Sequence, residues 1–179
     1  MEIRMADLAD LNQCIQLDGS FSTEFVWQMQ KRGDVNKEME ALTVSFQTIR
    51  LPRSVQVLYP RPSDELVSHW QGVGCFLVAA EGDEVKGFVD AQPVIWNETA
   101  HVTNLIVAPE ERHKGIGAML LEAAADWARS YGLHYMILEA QTKNVPAIDF
   151  YQKNGGRFCS FNDYYYPNRD VAVFFSRPV

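Results

Sequence analysis

The chain is predicted to be an α/β (α+β) domain: one central mixed sheet with helices on both faces. Three observations predict it. Apolar residues recur at helical spacing in two well-separated stretches, at Leu8, Leu11, Cys14 or Ile15, and Leu17, and again at Ile116, Leu120, Ala123, Ala124, Trp127 and Tyr131. Short apolar or β-branched runs bounded by turn residues lie between and after them. The order is helix, several strands, then strand–loop–helix, strand, helix, strand, strand, a mixed order that implies one sheet covered on both sides. A chain of 179 residues makes one domain. At that length it buries about two-thirds of its unfolded surface, so it needs no disulfide or metal staples.

Residues 2–4 form a first strand and 7–17 the first helix, which Asp18-Gly19-Ser20-Phe21 breaks. Residues 25–30 and 43–49 read as the two strands of a hairpin joined by a polar link at 31–38, with a helical turn at 37–42 as the other reading. A further strand falls at 55–58. Pro60 and Pro62 then make 59–64 a loop, and a short helix at 64–71 is capped by Ser63 or Asp64. Residues 75–80 and 85–94 flank a hairpin turn at Glu81-Gly82-Asp83, and 98–108 is the next strand. The long helix spans 115–131, with Arg129 in its last turn and Gly132 as its stop. A buried strand at 135–140 follows. Asn144 caps a helix to residue 154, with Pro146 in its first turn and Gly155-Gly156 at its end. The last strands are 157–161 and 171–176. No linker or internal repeat divides the chain, so 1–179 reads as one domain, with 24–60 as an inserted hairpin on the substrate side.

A net charge of −7 disfavours a nucleic-acid partner, which demands surplus lysine and arginine. The same charge attracts a cationic small molecule and also serves plain solubility. No apolar run approaches a membrane span, and M-E-I-R-M-A-D-L lacks the apolar core of a signal peptide. Cys14, Cys75 and Cys159 are odd in number and far apart, which implies no disulfide framework and suits a reducing, cytoplasmic setting. His69, His101, His113 and His134 have no zinc-ligand spacing, so no metal is expected.

The chemistry concentrates in N-L-I-V-A-P-E-E-R-H-K-G-I-G, residues 104–117. Leu105, Ile106 and Val107 form strand, Pro109 ends it, and Gly115 and Gly117 open a helix without side chains in the way of a ligand. A helix start exposes amides that have no partner inside the helix, and its dipole adds partial positive charge. Arg112, His113 and Lys114 add to it, so the loop is suited to a phosphate or diphosphate. The chain contains no Walker loop. Leu120 stands where the dinucleotide fingerprint has its third glycine. The residues alone still allow an ordinary charged turn capping a helix.

The pattern Arg112-x-x-Gly115-x-Gly117-Ala118 after a strand resembles the acetyl-CoA loop of the GNAT family of N-acetyltransferases. The run L-E-A-Q-T-K-N-V-P-A-I-D-F-Y, residues 138–151, resembles the family's second signature, with Asn144, Ala147 and Tyr151 at the matching positions. The resemblance implies a mostly antiparallel sheet of about six to seven strands, with acetyl-CoA as co-substrate. It would be held by Arg112, His113, Lys114, Gly115, Ile116, Gly117, Ala118, Asn144 and Ala147. A main-chain N–H near Ile106 or Val107 would face the acetyl carbonyl if the strand splays there. Tyr151 is then the acid that meets the leaving sulfur. Glu139, at the C-terminal end of a strand where ligands of open sheets sit, is the base candidate. Its other reading is a structural glutamate bonded to a backbone N–H or a cation. Cys159 could suggest a covalent acetyl-cysteine route, but no histidine is placed by sequence to activate it.

Within the family, L-D-G-S-F-S-T-E-F at 17–25, I-W-N-E at 95–98 and the loop at 107–117 resemble the streptothricin acetyltransferases, though 31–75 departs from them. The acceptor is then a primary amine of a small cationic antibiotic, attacked directly in a ternary complex. Asp18 would grip its ammonium, or else serve only as a turn residue. Glu139 twelve residues before Tyr151, together with the Tyr164-Tyr165-Tyr166-Pro167 run, also resembles the ribosomal-protein alanine acetyltransferases; Tyr164 and its neighbours would then wall a peptide N-terminus, or else form only an exposed turn. A reading of another class is an acyl-CoA sensor without catalysis. The resemblance leaves room for a homodimer.

Overall fold

The computed structural model describes residues 1–33, 41–62 and 64–179. In chain order its elements are β1 (Glu2–Met5), α1 (Leu8–Gln16), β2 (Phe21–Arg32), β3 (Thr43–Val57), α2 (Asp64–Gln71), β4 (Cys75–Glu81), β5 (Glu84–Val94), β6 (Thr99–Val107), α3 (Ile116–Ser130), β7 (Tyr135–Gln141), α4 (Val145–Lys153), β8 (Arg157–Asn162) and β9 (Ala172–Pro178). Seven strands form one sheet in the order β1-β4-β5-β6-β7-β9-β8, and β2-β3 form a separate two-stranded ribbon. Every pairing in the large sheet is antiparallel except β6 with β7. The expected mixed, mostly antiparallel sheet with an added hairpin is therefore present. Most of the predicted link at 31–38 and turn at 37–42, and the cap of α2, lie outside the described residues.

Each helix forms where its sequence satisfies its ends. Asp7 caps α1 by accepting from the Ala9 and Asp10 amides, while Asp10 reaches back to the Asp7 amide, a reciprocal capping box. Helix α3 stops at Gly132 (φ 74°), where Leu133 N–H bonds the Ala128 carbonyl and Gly132 N–H the Arg129 carbonyl. That left-handed turn suits glycine. Its buried stripe, Ile116, Leu120, Leu121, Ala124, Ala125 and Ala128, packs on one face of the sheet against Leu77, Val89, Val102 and Leu138. Ile148 and Tyr151 of α4 join the same cluster. Leu11 and Cys14 of α1 and Leu66 of α2 pack on the other face with Phe76, Val78, Phe88 and Ile106.

Two irregularities position the site. Asp90 pairs with Asn104 but Ala91 with Val102, so Thr103 is an extra residue in β6. Such a bulge shifts the alternation of faces. Before it Ala100 and Val102 face α3; after it Leu105 and Val107 do, and Asn104 and Ile106 turn to the α1 side. The second irregularity is a splay. β6 and β7 are paired only from Thr99↔Tyr135 to Val102↔Leu138. Beyond that point both strands continue, to Val107 and Gln141, with a gap between them.

The ribbon differs in length from expectation. β3 runs without interruption through residues 50–54, which the sequence reading leaves between two separate strands. Residues 51–54 bulge out of the pairing opposite Glu24, which frees Pro52 from any ladder bond. The ribbon is tied to the site end of the sheet: Trp27 N–H bonds the Thr142 carbonyl at 2.9 Å, and Trp27 packs on Phe46, Phe158 and Phe175.

Candidate active site

One wall of the gap is main chain. After β6, Pro109–Glu111 make a single 3₁₀ turn, His113 takes φ 64° and Gly115 takes φ 88° as the cap residue of α3, with no side chain bonded to the helix start. Among the described residues, the amides of His113, Lys114, Gly115, Ile116, Gly117 and Ala118 donate to nothing in the protein. A side chain at Gly115 would enter open space, whereas one at Gly117 would meet the Phe150 ring at 3.4 Å. The loop is thus an open row of donors at a positive helix end. The Ile116 side chain is buried in the core, so only its amide serves that row.

Arg112 is placed differently from expectation. Its guanidinium bonds three carbonyls: Val107 through Nε at 3.0 Å, Ser20 at 2.9 Å and Asp18 at 2.8 Å. It braces the loop after α1 against the end of β6. Lys114 pairs with Glu111 at 2.8 Å and is mostly exposed.

Main-chain direction within β6 follows from one bond. Ala108 N–H donates to Lys86 of the β5 edge at 2.9 Å. Alternate residues of an antiparallel ladder face the same neighbour, so Ile106 spends its main-chain groups on β5. Leu105 and Val107 turn theirs toward the gap. Of the two expected donors, Val107 faces the gap and Ile106 does not, while its side chain lines a cavity on the α1 side.

On α4, the Asn144 side chain accepts from the Ala147 amide at 3.1 Å, and its own amide bonds the Gln141 carbonyl, which fixes the turn from β7. One helix face then presents Tyr151, 7% exposed, against Phe150 and Phe175. Its hydroxyl makes no side-chain hydrogen bond among the described residues, whereas those of Tyr59 and Tyr166 make one each and that of Tyr165 makes two. Burial first, and the nearby Glu139 charge second, push the Tyr151 pKa above the ordinary phenol range.

The other wall is all side chain. Glu139 of β7 accepts from the Tyr166 hydroxyl at 2.9 Å, from the Tyr165 hydroxyl, and from Arg61 at 2.7 Å. Its carboxylate is therefore bonded to a cation, one of the two readings open from sequence. Tyr164 instead stands in solvent, 90% exposed; Tyr166 is buried, and Tyr165, partly in solvent, turns its hydroxyl to Glu139. Asp18 accepts from the Ser20 amide and hydroxyl, both at 2.8 Å, as a turn residue does. These bonds hold its pKa below the usual carboxylate value.

Residues that sequence reading missed complete this wall. Tyr59 donates to Asn104 at 2.5 Å, Asn104 to the fully buried Asp90 at 2.8 Å, and Asp90 also meets Gln92 at 2.9 Å and His69 Nδ1 at 2.5 Å. A cavity of about 230 Å³ opens beside this chain, with Leu17, Asp18, Gly19, Tyr59, Arg61 and Asn104 in its lining. A larger open depression of about 350 Å³, at the β3 bulge, shares no residue with it. Among the described residues no cluster of three or more His, Cys, Asp or Glu side chains is placed to hold a metal, and no helix is long and apolar enough to cross a membrane.

Comparison with known proteins fits this geometry. The model of the acetyltransferase (GNAT) family matches residues 39–156, well over half the chain. The chain is similar to a streptothricin acetyltransferase of Streptomyces lavendulae, at 30% identity over 99% of this chain and 94% of that protein. Among solved structures it is similar to a nourseothricin acetyltransferase, with TM-score 0.80 and 24% identity over 99% of this chain and 97% of that one. A protein of Bacillus anthracis str. Ames, solved in complex with acetyl coenzyme A, matches with TM-score 0.78 and 22% identity over 99% of both chains. At those identities the two structures speak for the fold. A glycine-opened helix of unpartnered amides beside a splayed parallel pair, with the family model laid across both, leads to one conclusion: the chain belongs to the acetyltransferase (GNAT) family and is an acyltransferase.

Proposed function

We propose that this acyltransferase moves an acetyl group from acetyl-CoA to a primary amine of a small cationic acceptor of the streptothricin type, by direct attack in a ternary complex. The observation that carries the reading is the row of unpartnered amides at 113–118 beside the gap between β6 and β7. The diphosphate of acetyl-CoA suits that row, and the Leu105 and Val107 edge supplies N–H groups where a thioester carbonyl would enter the gap. The amine loses a proton toward Glu139 and its nitrogen bonds the carbonyl carbon. The carbon–sulfur bond breaks, and the Tyr151 hydroxyl, which makes no side-chain hydrogen bond among the described residues, gives the leaving thiolate a proton. The net charge of −7 and the similarity to the Streptomyces lavendulae enzyme support a cationic acceptor.

A second reading, a protein N-terminus as acceptor, is favoured by Tyr165 and Tyr166, which close around Glu139 as an aromatic wall. A thiol-release assay over a panel of amines, including streptothricin and alanine-initiated peptides, decides between them. The proposal expects release with streptothricin. Release with peptides alone moves the acceptor to the second reading, and release with no amine overturns both.

A further inference from the structure

Arg61 is the one cation bonded to Glu139 among the described residues, and its surroundings make a cation site. A single nitrogen, Nη2, lies 2.7 Å from Glu139 Oε1 and 3.1 Å from the Tyr165 hydroxyl oxygen. The guanidinium carbon stands 5.9 Å from the centre of the Tyr165 ring. One carboxylate oxygen, one phenol oxygen and one aromatic face are what a primary ammonium asks for. The two tyrosines donate their hydroxyl protons to Glu139, so their oxygens are left as acceptors. Nothing in this cradle requires the planar fork of arginine.

A second carboxylate waits outside. Glu65, about half exposed, lies 3.7 Å from Arg61 Nη1. Arg61 sits between Pro60 and Pro62, whose fixed φ stiffens the loop, so the long side chain is the part able to swing. An acceptor ammonium brought to Glu139 with Arg61 still in place would set two like charges side by side, at a cost that grows in a desolvated cleft.

We infer that Arg61 is a specificity-determining stand-in for the acceptor's ammonium: it fills the Glu139–Tyr165–Tyr166 cradle until a substrate cation displaces it toward Glu65. The inference rests on the proposed reading of this cleft as an amine acetylation site. Arg61 then sets the threshold that an acceptor must pass. An amine with strong further contacts in the 230 Å³ cavity displaces it, and a bare alkylamine does not.

The test is Arg61→Met, assayed at pH 8 with streptothricin and saturating acetyl-CoA, beside calorimetric titration of streptothricin without acetyl-CoA. Removal of a competing, partly buried ion pair is expected to lower KM and Kd for streptothricin about fivefold, with kcat moving less than KM. A rise in either constant means Arg61 itself grips the acceptor, and overturns the inference; so do unchanged constants. Where Arg61→Met fails to fold, Glu65→Gln reads the same exchange. Loss of the outer partner is expected to raise the streptothricin Kd about twofold to threefold, and an unchanged or lower Kd overturns the inference. The titration keeps the two claims apart: no thiol release by the unmodified enzyme defeats the acetylation reading, whereas tighter amine binding in Arg61→Met speaks for the stand-in alone.

Discussion

The two walls of the gap are built on opposite principles. At the start of α3 the groups are main-chain amides from a few consecutive residues, and they are left without partners. Around Glu139 the groups are side chains from five separate segments, and they are bonded among themselves: Glu139 to Tyr165, Tyr166 and Arg61, Tyr59 to Asn104, Asn104 to Asp90. An unsatisfied row of donors takes an anion without first breaking anything. A satisfied network must give up a bond to take a ligand, so it charges an entry cost and selects. On the proposed reading, the first wall serves a common ligand and the second a particular one.

Three substitutions test that contrast, and the largest effect is expected where the walls meet. Tyr151→Phe removes a hydroxyl that makes no side-chain hydrogen bond among the described residues, so little stability is at stake. Turnover should fall about a hundredfold, the usual scale of a lost general acid, while the KM for acetyl-CoA stays nearly constant. Steady-state kinetics checks it, and unchanged turnover removes Tyr151 from the mechanism. Next, Gly115→Asp places a carboxylate at the open helix start, at a left-handed φ that aspartate tolerates. The KM for acetyl-CoA should rise about tenfold and the amine KM hardly at all; Gly115→Asn, of the same shape without the charge, should show much less. Equal losses for both substrates would mean the two walls are not independent.

The smallest effect lies outside both walls and calibrates them. Arg4 pairs with Asp10 at the start of α1, and that bond, above the capping bonds from Asp7, holds the Asp10 pKa below the ordinary carboxylate value. A depressed folded-state pKa gives stability that is full above the unfolded value, near 4, and is lost as pH falls through the folded value. Arg4→Met should therefore move the acid-unfolding midpoint to higher pH, with both KM values unchanged near neutrality. Circular dichroism against pH reads the first and kinetics the second.

The same contrast explains what could be read in the chain beforehand. Residues 104–118 and 138–151 are contiguous, so Gly115, Gly117, Asn144 and Tyr151 stand out by spacing alone, and Asn144 indeed caps α4. Arg61 and Tyr59 come from a Pro-rich loop whose partners lie 78 and 45 residues away, at Glu139 and Asn104. No local pattern announces such a meeting. Three tyrosines in a row show that a wall is near but not which of them reach it, since the phase of a turn depends on its fold; Tyr164 points out while the Tyr165 and Tyr166 hydroxyls reach Glu139. Arg112 beside a phosphate loop reads as an anion ligand by charge, yet three carbonyls within reach hold its guanidinium instead. Residues 43–49 and 55–58 read as two strands rather than one because a bulge that spares Pro52 a ladder bond leaves no mark in composition.

The single extra residue at Thr103 has a consequence for how the enzyme can vary. It acts as a half-turn of phase between two otherwise ordinary stretches of strand. Pairing Thr103 into a regular ladder would send Asn104 and Ile106 toward α3, bring Leu105 and Val107 round to the opposite side, and strip Tyr59 of its anchor in the same stroke; deleting Thr103 would only iron out the bulge and leave those faces as they are. Point changes in β6 can tune either wall separately; a one-residue slip in its pairing, with its length kept, would exchange their contents.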